Sequence, residues 1–127
     1  EILLNATFKL RKSKLSAEKQ KEITAQLSKT RLQKQPLGLS SGSFFRNPST
    51  KNPAGMLIDK AGLKGKTIGK AQISKKHGNF LLNLGGATSA DLIKLAKLTK
   101  RLVKAKFKIE LHPEVQILTE KGKLKLI

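Results

Sequence analysis

A chain of 127 residues, 38% of them hydrophobic, is long enough to bury the core of one domain and too apolar to be a disordered tail. No apolar run approaches the roughly 20 residues of a membrane helix. The first ten residues alternate and do not read as a signal peptide, and zero cysteines exclude disulfides and thiolate metal sites and fit a reducing, cytoplasmic setting.

The charge is +19, from 27 Lys and Arg against 8 Asp and Glu, a field that attracts nucleic acid, anionic lipid or a phosphorylated small molecule. The cations run along the whole chain without clustering in one block, which favours solvated lysines over a dedicated nucleic-acid surface.

In chain order, "LNATFKL" alternates, with Leu4, Ala6, Phe8 and Leu10 on one face, and predicts a half-buried strand. The chain begins at Glu1 inside this pattern and is read as a fragment of a longer protein. Ser16 is placed to cap a polar helix running to about Gln33, with Ile23 and Leu27 as a thin apolar stripe. Gln35-Pro36 ends it and opens a long loop rich in Ser, Gly, Asn and Pro. Pro53 suits the first position of a short helix, "AGMLIDKA", stopped by Gly62. "KTIGKAQI" and "NFLLNL" read as short strands on either side of a basic turn, Lys75 to Gly78.

A long helix follows. Thr88 and Ser89 are candidate caps, Asp91 complements the positive amino end, and Leu92, Leu95, Ala96, Leu98, Leu102 and Val103 recur at helical spacing, so that face must meet a sheet. "KIELHPEVQIL" predicts a strand interrupted at His112-Pro113, followed by a Lys121-Gly122 turn. This order predicts an α+β fold: a mixed, mostly antiparallel sheet covered by helices mainly on one face.

Most of the usual chemistry is missing. His77 and His112 are the only histidines, and no carboxylates cluster near them, so a metal site is not expected. "SGSFF" is not the strand–turn–helix elbow of an esterase serine. "NLGGATS" lacks the spaced glycines and the lysine of a nucleotide loop and reads as a turn with a helix cap. With no Trp or Tyr, and most of the five Phe in apolar strand or helix contexts, a stacking platform for single-stranded nucleic acid is not expected, which leaves backbone-only binding by lysines.

The loop does hold one unusual feature, the pair Phe44-Phe45. Bulky apolar side chains stay in a polar loop when it packs inward, and these two would then anchor Ser43 and Asn47 at a cleft.

"QPLGLSSGSFFRNP", "AGMLIDKAGLKGKTIGKAQISKKHGNFLLN" and "LHPEVQIL" together resemble the carboxyl-terminal part of the UDP-N-acetylenolpyruvoylglucosamine reductase family. "ILLNATFKL" is similar to the strand that ends that family's flavin domain. The resemblance implies that residues 1–35 are the end of the flavin-binding domain with a connecting helix, and that 36–127 are the substrate-binding domain. It implies a flavoenzyme in which FAD, charged by NADPH, reduces the enolpyruvyl group of a UDP-sugar in peptidoglycan precursor synthesis.

By the family's motifs, Ser43 protonates the substrate carbon and Glu114 helps stabilise the enolate-like intermediate. Such chemistry asks for a dry, hydrogen-bonded hydroxyl, which the phenylalanines would provide, and for a glutamate kept protonated. Asn47 and Arg31 are the implied ligands of the substrate diphosphate, and His77 a pocket residue. Gly78 stands where relatives often have Ala, read as a small change. The family's flavin motifs and its third catalytic residue, an arginine, precede Glu1. The isolated chain is therefore expected to bind no flavin and to be inactive. The competing reading is a basic nucleic-acid-binding module.

Overall fold

Thr88 starts the longest helix of the chain. Its hydroxyl accepts from the Asp91 N–H at 3.1 Å, and Asp91 Oδ2 accepts from the Thr88 N–H at 3.0 Å, a reciprocal capping box. The computed structural model describes residues 3–118 and the backbone of 124–125. Within them run α1 (Ala17–Lys34), β1 (Leu39–Ser43), α2 (Ala54–Lys60), β2 (Thr67–Ile68), β3 (Ala71–Ile73), β4 (Phe80–Asn83), α3 (Ser89–Phe107), β5 (Ile117–Leu118) and β6 (Leu124–Lys125). The chain divides into two units, Glu1–Arg31 and Leu32–Ile127.

In the first unit the Ser16 hydroxyl accepts from the Lys19 N–H at 3.3 Å and caps α1 as expected. No residue of α1 is buried. The segment Leu4–Leu10 forms no strand and is exposed throughout. Alternation fixes which face of a strand would be apolar, but a strand also needs a neighbour for its N–H and C=O groups. Among the described residues nothing pairs with this segment.

The second unit is built on a four-stranded sheet in the order β1-β4-β3-β2, every pairing antiparallel, which makes the fold α+β. Ala71 and Ile73 stand in register with Asn83 and Leu81, and Ala71, Ile73 and Leu81 are buried. α3 covers that face with Leu95, Ala96 and Val103. Full burial of each large side chain here contributes about 1.5–3 kcal/mol relative to exposure. α2 packs on α3 and adds Leu57 and Ile58 to the core.

"KTIGKAQI" is a hairpin, not one strand. Ile68 pairs Ala71 across the two-residue turn Gly69-Lys70, and Gly69 takes φ 54°, the positive angle such a turn needs at its first position. "KIELHPEVQIL" is mostly irregular: Pro113 makes an isolated bridge to Phe45, and only Ile117–Leu118 is strand. A proline has no N–H to give a ladder, which stops pairing there. The Lys121-Gly122 turn lies outside the described residues.

β1 carries a bulge. From Ser40 to Ser43 it takes three steps while its partner takes two, from Leu82 to Phe80, and Gly42 absorbs the extra residue at φ 81°. The bulge re-aims the end of the strand, where Ser43 sits.

The capping box gives a direct test. Thr88→Ala is expected to cost about 1 kcal/mol of stability in denaturant unfolding. The Thr88 backbone N–H, then its hydroxyl, hold the Asp91 carboxyl below its ordinary value of 3.8. A lowered folded-state pKa means the contribution is present above that ordinary value and is lost as pH falls through the lowered one. Wild type and Asp91→Asn should therefore converge in stability on acidification; a gap that widens would contradict the assignment.

Candidate active site

The turn between β3 and β4 is shaped by Ser74, a buried residue whose Oγ accepts from the N–H groups of Lys76 at 3.1 Å and His77 at 3.2 Å. A short polar side chain bonding backbone two and three residues on is a stable substitute for a backbone turn. The Phe80 N–H donates to the His77 carbonyl at 3.1 Å and closes the turn.

His77 is thereby set against Phe80, ring centroids 4.9 Å apart in an edge-on arrangement. Its Nδ1 accepts from the Asn79 N–H at 3.2 Å, so the neutral ring carries its proton on Nε2. Burial, and secondarily the charge of Lys64, push the His77 pKa below 6.5 and favour that neutral form.

Asn79 is 3% exposed and faces the opposite segment of chain. Its Oδ1 accepts from the Phe45 N–H at 2.9 Å and its Nδ2 donates to the Phe45 carbonyl at 2.8 Å. Its own carbonyl accepts from the Phe44 N–H at 2.8 Å. Phe44 and Phe45 are both buried, their rings 5.1 Å apart edge to face. The loop keeps its two phenylalanines because they are core.

On its other side the same segment meets the irregular stretch after α3. The Glu114 N–H donates to the Phe44 carbonyl at 2.8 Å, and the Arg46 N–H to the His112 carbonyl at 2.9 Å. Farther along, Asn47 Oδ1 accepts from the Ala54 N–H at 3.0 Å and ties the loop to the start of α2.

These constraints leave an open cleft of about 350 Å³. Ser43, Asn47, Gly55, Met56, Asp59, Lys64, Lys76, His77 and Asn79 are among its lining residues. Lys64 is paired to Asp59 at 2.6 Å, and Lys76 Nζ donates to the Leu32 carbonyl at 2.5 Å while keeping further donors. A hydroxyl, an amide, an imidazole and two ammonium groups make the lining rich in donors and suited to an anion with several oxygens.

Three of the expected site residues, Ser43, Asn47 and His77, thus share one cleft. Glu114 is joined by backbone to Phe44, next to Ser43, but its side chain is exposed and is not among the lining residues. Arg31 belongs to the other unit. Ser43 is exposed too: the phenylalanine rings turn into the core and do not dry its hydroxyl.

The Gly78 reading also changes. A Cβ there would lie 2.7 Å from the Gly55 carbonyl oxygen, and one on Gly55 2.9 Å from His77 Cε1. In this chain an alanine at 78 requires α2 to shift. Asn79, Ser74, Lys64 and Lys76 were not singled out in the sequence, where nothing distinguishes them from ordinary polar positions.

The second unit is therefore a small α+β domain with an open cleft whose lining is rich in hydrogen-bond donors. The family model for the UDP-N-acetylenolpyruvoylglucosamine reductase C-terminal domain matches residues 33–118, and the chain belongs to that family. It is 43% identical over 122 residues to a UDP-N-acetylenolpyruvoylglucosamine reductase of Clostridium botulinum, covering 95% of this chain and 39% of that protein. It is 43% identical over 111 residues to one of Bacillus licheniformis, covering 84% and 60% respectively. The crystal structure of the Thermus caldophilus UDP-N-acetylenolpyruvylglucosamine reductase aligns with a TM-score of 0.60 at 39% identity, over 74% of this chain and 33% of that one. The chain thus spans less than two thirds of the relatives it matches.

Proposed function

We propose that this chain is the substrate-binding part of a cytoplasmic flavoenzyme that reduces the enolpyruvyl group of UDP-N-acetylglucosamine enolpyruvate to UDP-N-acetylmuramate, with NADPH as reductant. The observation that carries this reading is the meeting of Ser43, Asn47 and His77 in one cationic cleft, in a chain of this family.

The relatives are longer than this chain; in this reading residues 1–35 are the end of their flavin domain and FAD is held by the part this chain does not span. Bound there, FAD would supply the hydride that adds to one carbon of the double bond.

The residues of this chain complete the reduction. Ser43 Oγ–H delivers the proton to the other carbon, the one beside the substrate carboxylate. The charge that builds on that carboxylate before the proton arrives needs donors already in place, the largest lever in catalysis of this type. Glu114 serves there once its side chain turns toward Ser43, since its backbone is already fixed beside Phe44. Lys76 and His77 Nε2–H lie on the cleft wall with Asn47 as donors for the diphosphate; the reading also assigns Arg31 to the diphosphate. Because Ser43 is exposed, the dry setting of the reaction comes from bound substrate and from the flavin domain.

Titration with UDP-N-acetylglucosamine enolpyruvate, followed by NMR, should shift the resonances of Ser43, Asn47 and His77 together, while FAD shifts none. Shifts confined to α3, or equal shifts with any polyanion such as duplex DNA, would count against the reading.

A further inference from the structure

We infer that Asn79 is the positioning residue of this site, holding the Ser43 hydroxyl in place through a two-way amide clamp on Phe45. The inference rests on the reading of Ser43 as the proton donor.

The clamp is unusual in its reach. Asn79 lies 34 positions from Phe45, yet its side chain satisfies both the N–H and the C=O of that residue, at 2.9 and 2.8 Å. An amide is the one neutral side-chain group of this size that offers a donor and an acceptor side by side, as a neighbouring strand would. Asn79 so extends the β1–β4 ladder beyond Ser43, the last paired residue of β1, over a stretch where β4 has no further strand to give.

Its backbone takes part as well. The carbonyl fixes the Phe44 N–H, and the N–H fixes His77 Nδ1. Phe44 in turn receives the Glu114 N–H. One residue therefore joins the segments that carry Ser43, His77 and Glu114, and it is nearly inaccessible to solvent.

The need for a clamp follows from the bulge. Gly42 gives the end of β1 its direction, and glycine is also the residue that resists bending least. Without a hold beyond the bulge, Ser43 would sit on the hinge side of a mobile loop. With it, Ser43 stands between a ladder pair to Phe80 and a clamped Phe45. A proton donor displaced by about 1 Å loses on the order of 10²-fold in rate.

The test uses the complete flavoenzyme containing this chain, with Ser43→Ala, Asn79→Ala, Asn79→Asp and the double variant Ser43→Ala/Asn79→Ala. Flavin reoxidation by the UDP-sugar is followed by stopped flow on folded, flavin-loaded protein. Asn79→Ala is expected to lower the reoxidation rate about 10²-fold with little change in substrate KM. In the Ser43→Ala background the same change should cost almost nothing more, because Asn79 acts through Ser43.

Asn79→Asp adds a signature that a purely structural role lacks. A protonated carboxyl keeps one donor and one acceptor in the same shape, whereas the ionised form sets a negative oxygen against the Phe45 carbonyl. Its rate should recover as pH is lowered, relative to wild type at the same pH. Should Asn79→Ala not fold, this recovery carries the test alone. A wild-type rate in Asn79→Ala, losses that multiply in the double variant, or no recovery of Asn79→Asp in acid would each overturn the inference. An unchanged rate in Ser43→Ala would instead remove the underlying reading, and the inference with it.

Discussion

Replacing Ser43 by alanine in the complete enzyme is expected to leave flavin reduction by NADPH intact and to slow reoxidation by the UDP-sugar by about 10²- to 10⁴-fold, the usual worth of a general acid. The split follows from the role proposed for the hydroxyl. In the proposed reaction, flavin reduction would need no proton at a substrate carbon. Reduction of the substrate would leave negative charge beside its carboxylate and end only when a proton reaches the adjacent carbon. Ser43 is exposed at the end of a bulged strand, so its removal leaves no cavity and the fold should not suffer. Glu114→Gln should slow the same half-reaction, since the amide keeps the shape but not the acid. Stopped-flow traces of the two half-reactions separate the outcomes. Equal slowing of both by Ser43→Ala would mean that the site is distorted, and no slowing that Ser43 is a bystander.

How much of this was readable in the sequence depends on how far each interaction reaches. α3 was legible because everything that makes it is local: Thr88 and Asp91 three apart at the cap, and Leu95, Ala96 and Val103 at helical spacing. α2 lies between Pro53 and Gly62 for the same reason. The hairpin inside "KTIGKAQI" was missed because five of its eight residues do lie in strand, and only the turn at Gly69-Lys70, with its positive angle at Gly69, divides them. Leu4–Leu10 shows the opposite error, since its alternation is real but states only what a partner would find.

The site was less legible than the fold. The Phe44-Phe45 pair pointed to a cleft at Ser43 and Asn47, but their roles and the inclusion of His77 came from a family resemblance, and no spacing rule would bring positions 43 and 77 to one cleft. Asn79 escaped notice because its function is a contact across 34 residues, and an asparagine beside a turn is ordinary. The dry setting expected for Ser43 failed on a point of geometry: Ser43 ends β1 exposed, and both phenylalanine rings that follow it turn into the core, away from its hydroxyl.

That same geometry makes Phe45 the residue on which the loop depends, and Phe45→Ala is expected to destabilise the domain by about 3–5 kcal/mol. Phe45 is 1% exposed, packs edge to face on Phe44 and bridges to Pro113. Truncation removes buried apolar area and leaves a void that the clamped backbone cannot close, because Asn79 holds Phe45 from both its N–H and its C=O. Against a total stability of about 5–15 kcal/mol for a domain of this size, such a loss leaves little margin. Phe45→Leu, nearer in volume, should cost less than half as much. Denaturant midpoints for the two variants measure the difference, and equal, small shifts would show that the loop relaxes freely and the ring is dispensable. If the large shift is seen, the resonances of Ser43 and Asn47 should broaden in Phe45→Leu before the fold itself is lost, since Phe45 anchors the segment between them in the core.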